Sequence, residues 1–274
     1  MLIPIKSVKS SSLFGDVDAD YQGIAGLLSS DAAVFRRALS SVRIGRTFKT
    51  TAHNRLPQLT SYLASLGQHF GKVIDVGASD GSASLTFIGA LNFESYWLTD
   101  KYIELVLVHD GNRFWLYDLD GLLHMHQVGE WLFYLDPFRQ WRSPLERVVT
   151  SVLGGSTAQH AAERLRVVCL NPEVSCCGKS YRFLSYDCNN AWTEEPGELI
   201  LVANLLDKFI DNREVMKRFC ANICGMVANG GLLVVADNEG MERATVFRSR
   251  EKSFEVMHRI GGGSITEGQL GLGS

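Results

Sequence analysis

Apolar and polar positions follow two rhythms along this chain, and the change of rhythm marks its parts. Lys72-Val-Ile-Asp-Val76 has Val73, Ile74 and Val76 in the pattern of a short buried strand. Gly77 and Gly81 bracket a tight turn after it, and Ser82 through Ala90 reads as a helix. Upstream, Leu56–Leu66 sets Leu59, Tyr62, Leu63 and Leu66 at helical spacing, with Pro57 tolerated in the first turn and Gly67 and Gly71 ending the element. Ser95–Asp100 reads as a second strand ending in an acid, Tyr181–Tyr186 as a third ending at Asp187, Glu198–Ala203 as a fourth before Asn204, and Leu232–Ala236 as a fifth. Glu214–Val227 has a helical pattern, with Asn229–Gly231 as its C-cap turn. Ala244–Arg248 and Phe254–Ile260, separated by a charged turn, make a closing hairpin. Strands alternating with helices imply an α/β domain on a mostly parallel sheet.

The rhythm breaks after the second strand. Ile103–Val108, Arg113–Tyr117, Leu122–His126 and Trp131–Tyr134 are short β-like runs, and His109–Asn112 and Asp118–Gly121 separate the first three as hairpin turns. This is an antiparallel insert of roughly 35 residues. Pro144–Leu153 reads as an amphipathic helix broken by Gly154-Gly155, and Arg166–Leu170 as the point where the core sheet resumes, at no defined place in it. The resulting division is a lead-in over 1–70, a main domain over 71–262 with an antiparallel β insertion at 101–140, and a flexible glycine-rich tail over 263–274.

Composition narrows the classes without choosing among them. A chain of 274 residues with 46% apolar and 21% charged residues buries a sizeable core. A net charge of −3 is no footprint for nucleic acid. No apolar run reaches membrane-spanning length, and Met1–Ser10 lacks the apolar stretch of a secretory signal, so a cytoplasmic location is expected. The six cysteines match no zinc template; Cys220 and Cys224, one helical turn apart in an apolar stripe, read as reduced thiols. Residues 1–30 are mixed, with an acidic patch at Asp16, Asp18 and Asp20. From Ala33 to Ile74 every charged residue is basic, either a solvated helix face or a lid that meets a carboxylate. His124 and His126 share one face of a strand; with no third ligand, a structural or surface pair is preferred to a metal site.

Chemistry concentrates at the glycine turn. A strand leading through glycines into a helix presents backbone N–H groups and a positive dipole end to a ligand. The spacing is not the dinucleotide G-x-G-x-x-G, since Ser79 stands at the middle position and Asp75 precedes the first glycine by two. In a doubly wound sheet the end of the second strand lies beside this turn, so Asp100 can accept both hydroxyls of a ribose.

The turn resembles the first motif of class I S-adenosylmethionine (SAM)-dependent methyltransferases, an apolar strand carrying Asp or Glu and then G-x-x-x-G. Asp100, Asp187, Leu199–Asn204, the Asn229–Gly231 strand and the hairpin extend the likeness over most of residues 45–260 outside the insert. Thr47-Phe-Lys49, with His53, Pro57 and Leu59, and Leu201–Phe209 are similar to segments of the chemotaxis-receptor glutamate methyltransferases, although Lys49 stands for their arginine and their Cys-Arg pair is absent. The resemblance implies a Rossmann-like, mostly parallel seven-stranded sheet with a C-terminal antiparallel hairpin. It implies SAM as cofactor, S-adenosylhomocysteine as product, and a pocket of Thr47, Lys49, Asp75, Gly77, Ala78, Ser79, Gly81, Asp100, Asp187, Cys188 and Asn204. It does not carry over the protein-glutamate substrate: the acceptor, small molecule or protein, stays open. His53, His124 and His126 are the candidate bases, with ordinary packing or exposure preferred for each. A nicotinamide-dependent oxidoreductase and a non-catalytic binding module are the alternatives. The insert is expected to recognise substrate or to form a homodimer contact, and the residues do not separate the two.

Overall fold

The computed structural model describes residues 2–4, 23–44, 47–49, 52–135, 163–206, 212–238, 240–251 and 253–269. The helix expected at Pro144–Leu153 and the acidic patch at Asp16–Asp20 lie outside them. Two compact units divide the chain: Met1–Thr51 with Glu104–Ser175, and Ala52–Ile103 with Cys176–Ser274. The described strands run β1 (Leu2–Pro4), β2 (Arg43–Ile44), β3 (Thr47–Phe48), β4 (His69–Val76), β5 (Asn92–Asp100), β6 (Glu104–Asp110), β7 (Arg113–Tyr117) and β8 (Leu123–Val128). They continue as β9 (Trp131–Tyr134), β10 (Glu163–Val168), β11 (Tyr181–Ser185), β12 (Gly197–Ala203), β13 (Val227–Asp237), β14 (Arg243–Arg250) and β15 (Ser253–Ile260). The helices are α1 (Ala32–Ser40), α2 (Pro57–Ser65), α3 (Ser84–Ala90), α4 (Pro172–Ser175) and α5 (Arg213–Gly225). None of them is long and apolar enough to cross a membrane.

The second unit is built on a seven-stranded sheet in the order β11-β5-β4-β12-β13-β14-β15. Its first five strands are parallel, and β14 runs antiparallel to both neighbours. In chain order within the unit these five are third, second, first, fourth and fifth, a Rossmann-like doubly wound arrangement whose order reverses between β4 and β12. Central strands covered on both faces need continuous apolar runs, and Val73, Ile74, Val76 and Leu199–Val202 supply them. One face, carrying Ile74, Val76, Ile200 and Val202, packs against Met216, Phe219, Cys220 and Ile223 of α5. The other carries Asp75, which meets Ser84 at the start of α3. The register shift in β14–β15 pairs Phe247 with Val256 but Val246 with His258. A bulge of this kind sends His258 to the face opposite Val256, where its ring stacks on Tyr62 of α2 at 4.0 Å.

Two local expectations change here. β13 begins at Val227, so Asn229–Gly231 lies in the strand and α5 ends earlier, at Gly225. The Gly197 N–H donates to the Met226 carbonyl at 2.8 Å, drawing the chain into the sheet directly after the helix. Residues 263–269, expected in the flexible tail, are tied down. Ser264 Oγ and the Ile265 N–H donate to Asp237, Thr245 Oγ1 donates to Glu267 at 2.7 Å, and Arg259 pairs with Glu267. Only 270–274 of that tail lie outside the described residues.

The first unit is a six-stranded antiparallel sheet, β1-β9-β8-β7-β6-β10, with a small β2-β3 pair. The β runs expected after the second strand are present as β6–β9, but the insertion extends to Ser175 and shares its sheet with the N-terminal segment. β1 pairs with β9, and β10, expected in the parallel core, pairs with β6 (Leu165 opposite Leu107). The residue pattern explains this: Arg164 and Arg166 are exposed while Val167 is buried, which suits a strand with one wet face. Leu105, Leu107, Leu116, Met125 and Leu132 form the dry face. Gln127 Oε1 accepts the Ile24 N–H at 2.8 Å, holding the Gly23–Leu28 turn against it.

Candidate functional site

The glycine turn leaves β4 at the reversal of strand order, where ligands of open α/β sheets bind. Its backbone folds over the end of β5: the N–H groups of Gly77 and Ala78 both donate to the Thr99 carbonyl, at 2.8 and 2.9 Å. Gly77 (φ +75°) and Gly81 (φ +78°) are left-handed, the conformation glycine adopts without steric cost. Ser79, between them, is also left-handed at φ +58°. Its N–H donates to Asp100 Oδ2 at 3.1 Å, and its hydroxyl is buried without a hydrogen-bond partner.

Asp75 does not face this crevice. Its carboxylate is buried and accepts the Ser84 hydroxyl at 2.6 Å and the Tyr96 hydroxyl at 3.0 Å, fastening β4 to α3 and β5. Burial pushes this carboxyl up, against the opposing effect of those two bonds, and burial beside Asp75 raises Tyr96 as well. Asp100, at the end of β5, accepts the Ser79 N–H on one oxygen and the Tyr102 N–H, at 2.9 Å, on the other.

Next to it, at the end of β11, Asp187 pairs with Lys101 at 2.9 Å and accepts from the Asn189 N–H and side-chain amide. Burial raises the Asp187 carboxyl, but the Lys101 and Asn189 bonds outweigh it and hold it below the usual range. Cys188 is buried; desolvation, with the Asp187 and Asp100 charges, pushes its thiol up to about 12, so it is neutral at ordinary pH. The Asn222 amide holds the Cys188 carbonyl at 2.7 Å, attaching this loop to α5.

Asn204 closes the opposite side of the crevice at the end of β12. It is left-handed (φ +52°), its N–H donates to the Ala236 carbonyl, and its Oδ1 accepts the Asn238 N–H at 2.8 Å. The turn aims Leu205 at Gly77: a Cβ on Gly77 would stand 3.1 Å from Leu205 Cδ2. Asn238 also holds the Arg55 carbonyl through its side-chain amide, and the Asn54 N–H donates to Thr86 Oγ1 of α3 at 3.3 Å. Residues 54–55 are thereby pinned to α3 on one side and to the end of β13 on the other. Glu242 continues the clasp by accepting the N–H groups of Gln58 and Leu59, at 3.0 and 2.7 Å, in the first turn of α2.

The structure therefore sets Gly77, Ala78, Ser79, Gly81, Asp100, Asp187, Cys188 and Asn204 at the same end of one sheet, and turns the Asp75 side chain inward. Thr47 and Lys49 belong to the other unit, where Lys49 is buried and its N–H donates to the Val42 carbonyl at 2.9 Å. His124 and His126 are also there, both buried. His124 meets Asp118 at 2.9 Å, and His126 lies between the rings of Trp115 and Phe133, where desolvation and Arg113 lower it to about 4. Among the described residues no group of three His, Cys, Asp or Glu side chains could hold a metal ion. His53 is exposed. Sequence reasoning missed Tyr96, Leu205, Asn238 and Glu242; the polar pair Asp237-Asn238 at the end of an apolar strand was the available signal for one of them.

No protein-family model matches the sequence, and no curated protein matches it. Among solved structures, two of the N-methyltransferase NodS from Bradyrhizobium japonicum WM9 are 12% and 13% identical to this chain. They cover 65% and 80% of it, with TM-scores of 0.35 and 0.34. This chain spans 64% of the length of the first, just under two thirds, and 73% of the second, which holds S-adenosylhomocysteine. A SAM-dependent methyltransferase from Clostridium acetobutylicum ATCC 824 is 8% identical over 80% of this chain and 78% of its own, at a TM-score of 0.38. The [4+2]-cyclase SpnF is 11% identical over 79% and 57%, at 0.36. At these values the likeness carries no function, and the doubly wound assignment stands on the strand order and registers of this chain.

Proposed function

We propose that the seven-stranded unit binds SAM in the crevice between the ends of β4 and β12. In this reading the protein is a SAM-dependent methyltransferase acting on an O, N or C nucleophile of a small-molecule or protein acceptor. The observation that carries it is the convergence of the Gly77–Gly81 turn, Asp100 and Asn204 at the reversal of strand order. The residues fit such a ligand: Ser79 offers a buried hydroxyl with no partner, and the Asp100 carboxylate stands beside it, bonded to the Ser79 N–H. The Asp187–Cys188 segment borders the adenine side, and Asp75 acts from behind by fixing the turn. The reading rests on residues of this unit alone, and a cytoplasmic location is part of the proposal.

When bound, SAM supplies an electrophilic methyl group on a sulfonium. The protein's task is then alignment, which contributes up to about 7–11 kcal/mol in such displacements without an acid–base pair. Asn204, Asn238 and the pinned 54–55 segment form the acceptor side, and the exposed His53 precedes that segment as one candidate to take a proton from an amine or phenol. A carboxylate acceptor needs no base.

A second reading, a binding module without transfer, is favoured by Leu205 lying on Gly77. Melting curves with SAM, S-adenosylhomocysteine and NAD separate the cases. Stabilisation by the first two supports the SAM site, and stabilisation by NAD alone replaces it with an oxidoreductase. Labelled SAM in lysate, read by mass spectrometry, then distinguishes transfer from binding.

A further inference from the structure

Resting on the cofactor reading above, we propose that Leu205 gates the crevice: its side chain lies against Gly77 and swings aside to admit SAM. Leu205 follows β12 and reaches the turn after β4, so it crosses the gap where the strand order reverses. Its two methyl carbons lie 3.1 and 3.3 Å from the position a Gly77 Cβ would take, covering that face of the α-carbon. The Gly77 and Ala78 N–H groups both donate to the Thr99 carbonyl, so the turn meets a ligand on this side through the Gly77 α-carbon.

Two features suit Leu205 to move. It is half-buried and packs at the margin of the core cluster of Val76, Val202 and Leu206, so displacing it forfeits only part of a leucine's burial. It is aimed by Asn204, whose left-handed backbone is held by the Ala236 carbonyl and the Asn238 N–H.

The test is calorimetric titration of S-adenosylhomocysteine into the wild type, Leu205→Ala and Leu205→Phe, with melting temperatures of a Gly77→Ala and Leu205→Ala double-mutant cycle. A gate predicts that Leu205→Ala binds about threefold or more tighter and Leu205→Phe more weakly. It also predicts that Leu205→Ala relieves part of the Gly77→Ala destabilisation. If the wild type binds and Leu205→Ala binds equally or more weakly, Leu205 is a wall and the gate is wrong while the cofactor reading stands. An additive cycle likewise overturns the contact. Absence of saturable binding in all three proteins overturns the cofactor reading and the gate with it.

Discussion

The Tyr96 hydroxyl donates to Asp75 Oδ2 across 3.0 Å, joining the central strand to its neighbour directly beneath the glycine turn. The Asp75 carboxyl is therefore a structural fastener in this chain. Tyr96→Phe removes one of two donors from a buried carboxylate and should cost about 1–3 kcal/mol, measured by denaturant unfolding.

The sign of the pH effect at Asp75 is opposite to that of a salt-bridged acid. Its folded value lies above the ordinary 3.8, chiefly through burial, so the folded protein holds the proton more firmly than the unfolded chain. That contribution is fully present below 3.8 and is lost as pH rises through the raised value. Asp75→Asn should remove it. The variant's stability relative to wild type should increase as pH rises from 3.8 through the raised value in paired unfolding curves; a constant difference would show that the carboxyl is not shifted.

Glu242 caps α2 from 183 residues away, replacing the side-chain cap that Leu56 cannot provide. Glu242→Ala should destabilise the protein by about 1–2 kcal/mol. Amide exchange at Gln58 and Leu59 should rise first, and Glu242→Gln should restore part of the loss.

Gly261, at φ +60°, stands where a Cβ would meet the Glu242 carbonyl oxygen at 2.2 Å. Both the backbone conformation and the clash oppose a side chain. Gly261→Ala should therefore cost at least about 2 kcal/mol by thermal unfolding, with Gly262→Ala milder because nothing lies within 4 Å of its Cβ position.

Asp100→Ala should weaken S-adenosylhomocysteine binding about tenfold or more, the value of a charged hydrogen bond. Unchanged calorimetric affinity in a folded variant would remove Asp100 from the ribose role.

Deleting residues 104–134 alone should leave β1 and β10 with unpaired edges and produce aggregation. Removing Met1–Thr51 together with Glu104–Ser175, the latter through a short linker, should instead leave a monomer that melts cooperatively, as read by size exclusion and circular dichroism.

Features legible in the sequence lie within about ten residues of each position. The run Val73–Val76 followed by glycines, the helical spacing of Leu59, Leu63 and Leu66, and the turns at Gly111 and Gly121 between alternating runs all encode local structure, because periodicity and φ preference act over one or two turns of chain. Tertiary structure decided which groups meet. Asp75 has the same local sequence whether it faces a ligand or Tyr96, and only the pairing of Val73 with Tyr96 turns it inward. Arg166 and Val167 suit any strand with one wet face, and it is the edge of β6 that recruits them. Leu205 reads as one more apolar residue after a buried strand. It reaches Gly77 because β12 lies beside β4, a choice made by burial of two apolar strands against each other across more than a hundred residues of chain.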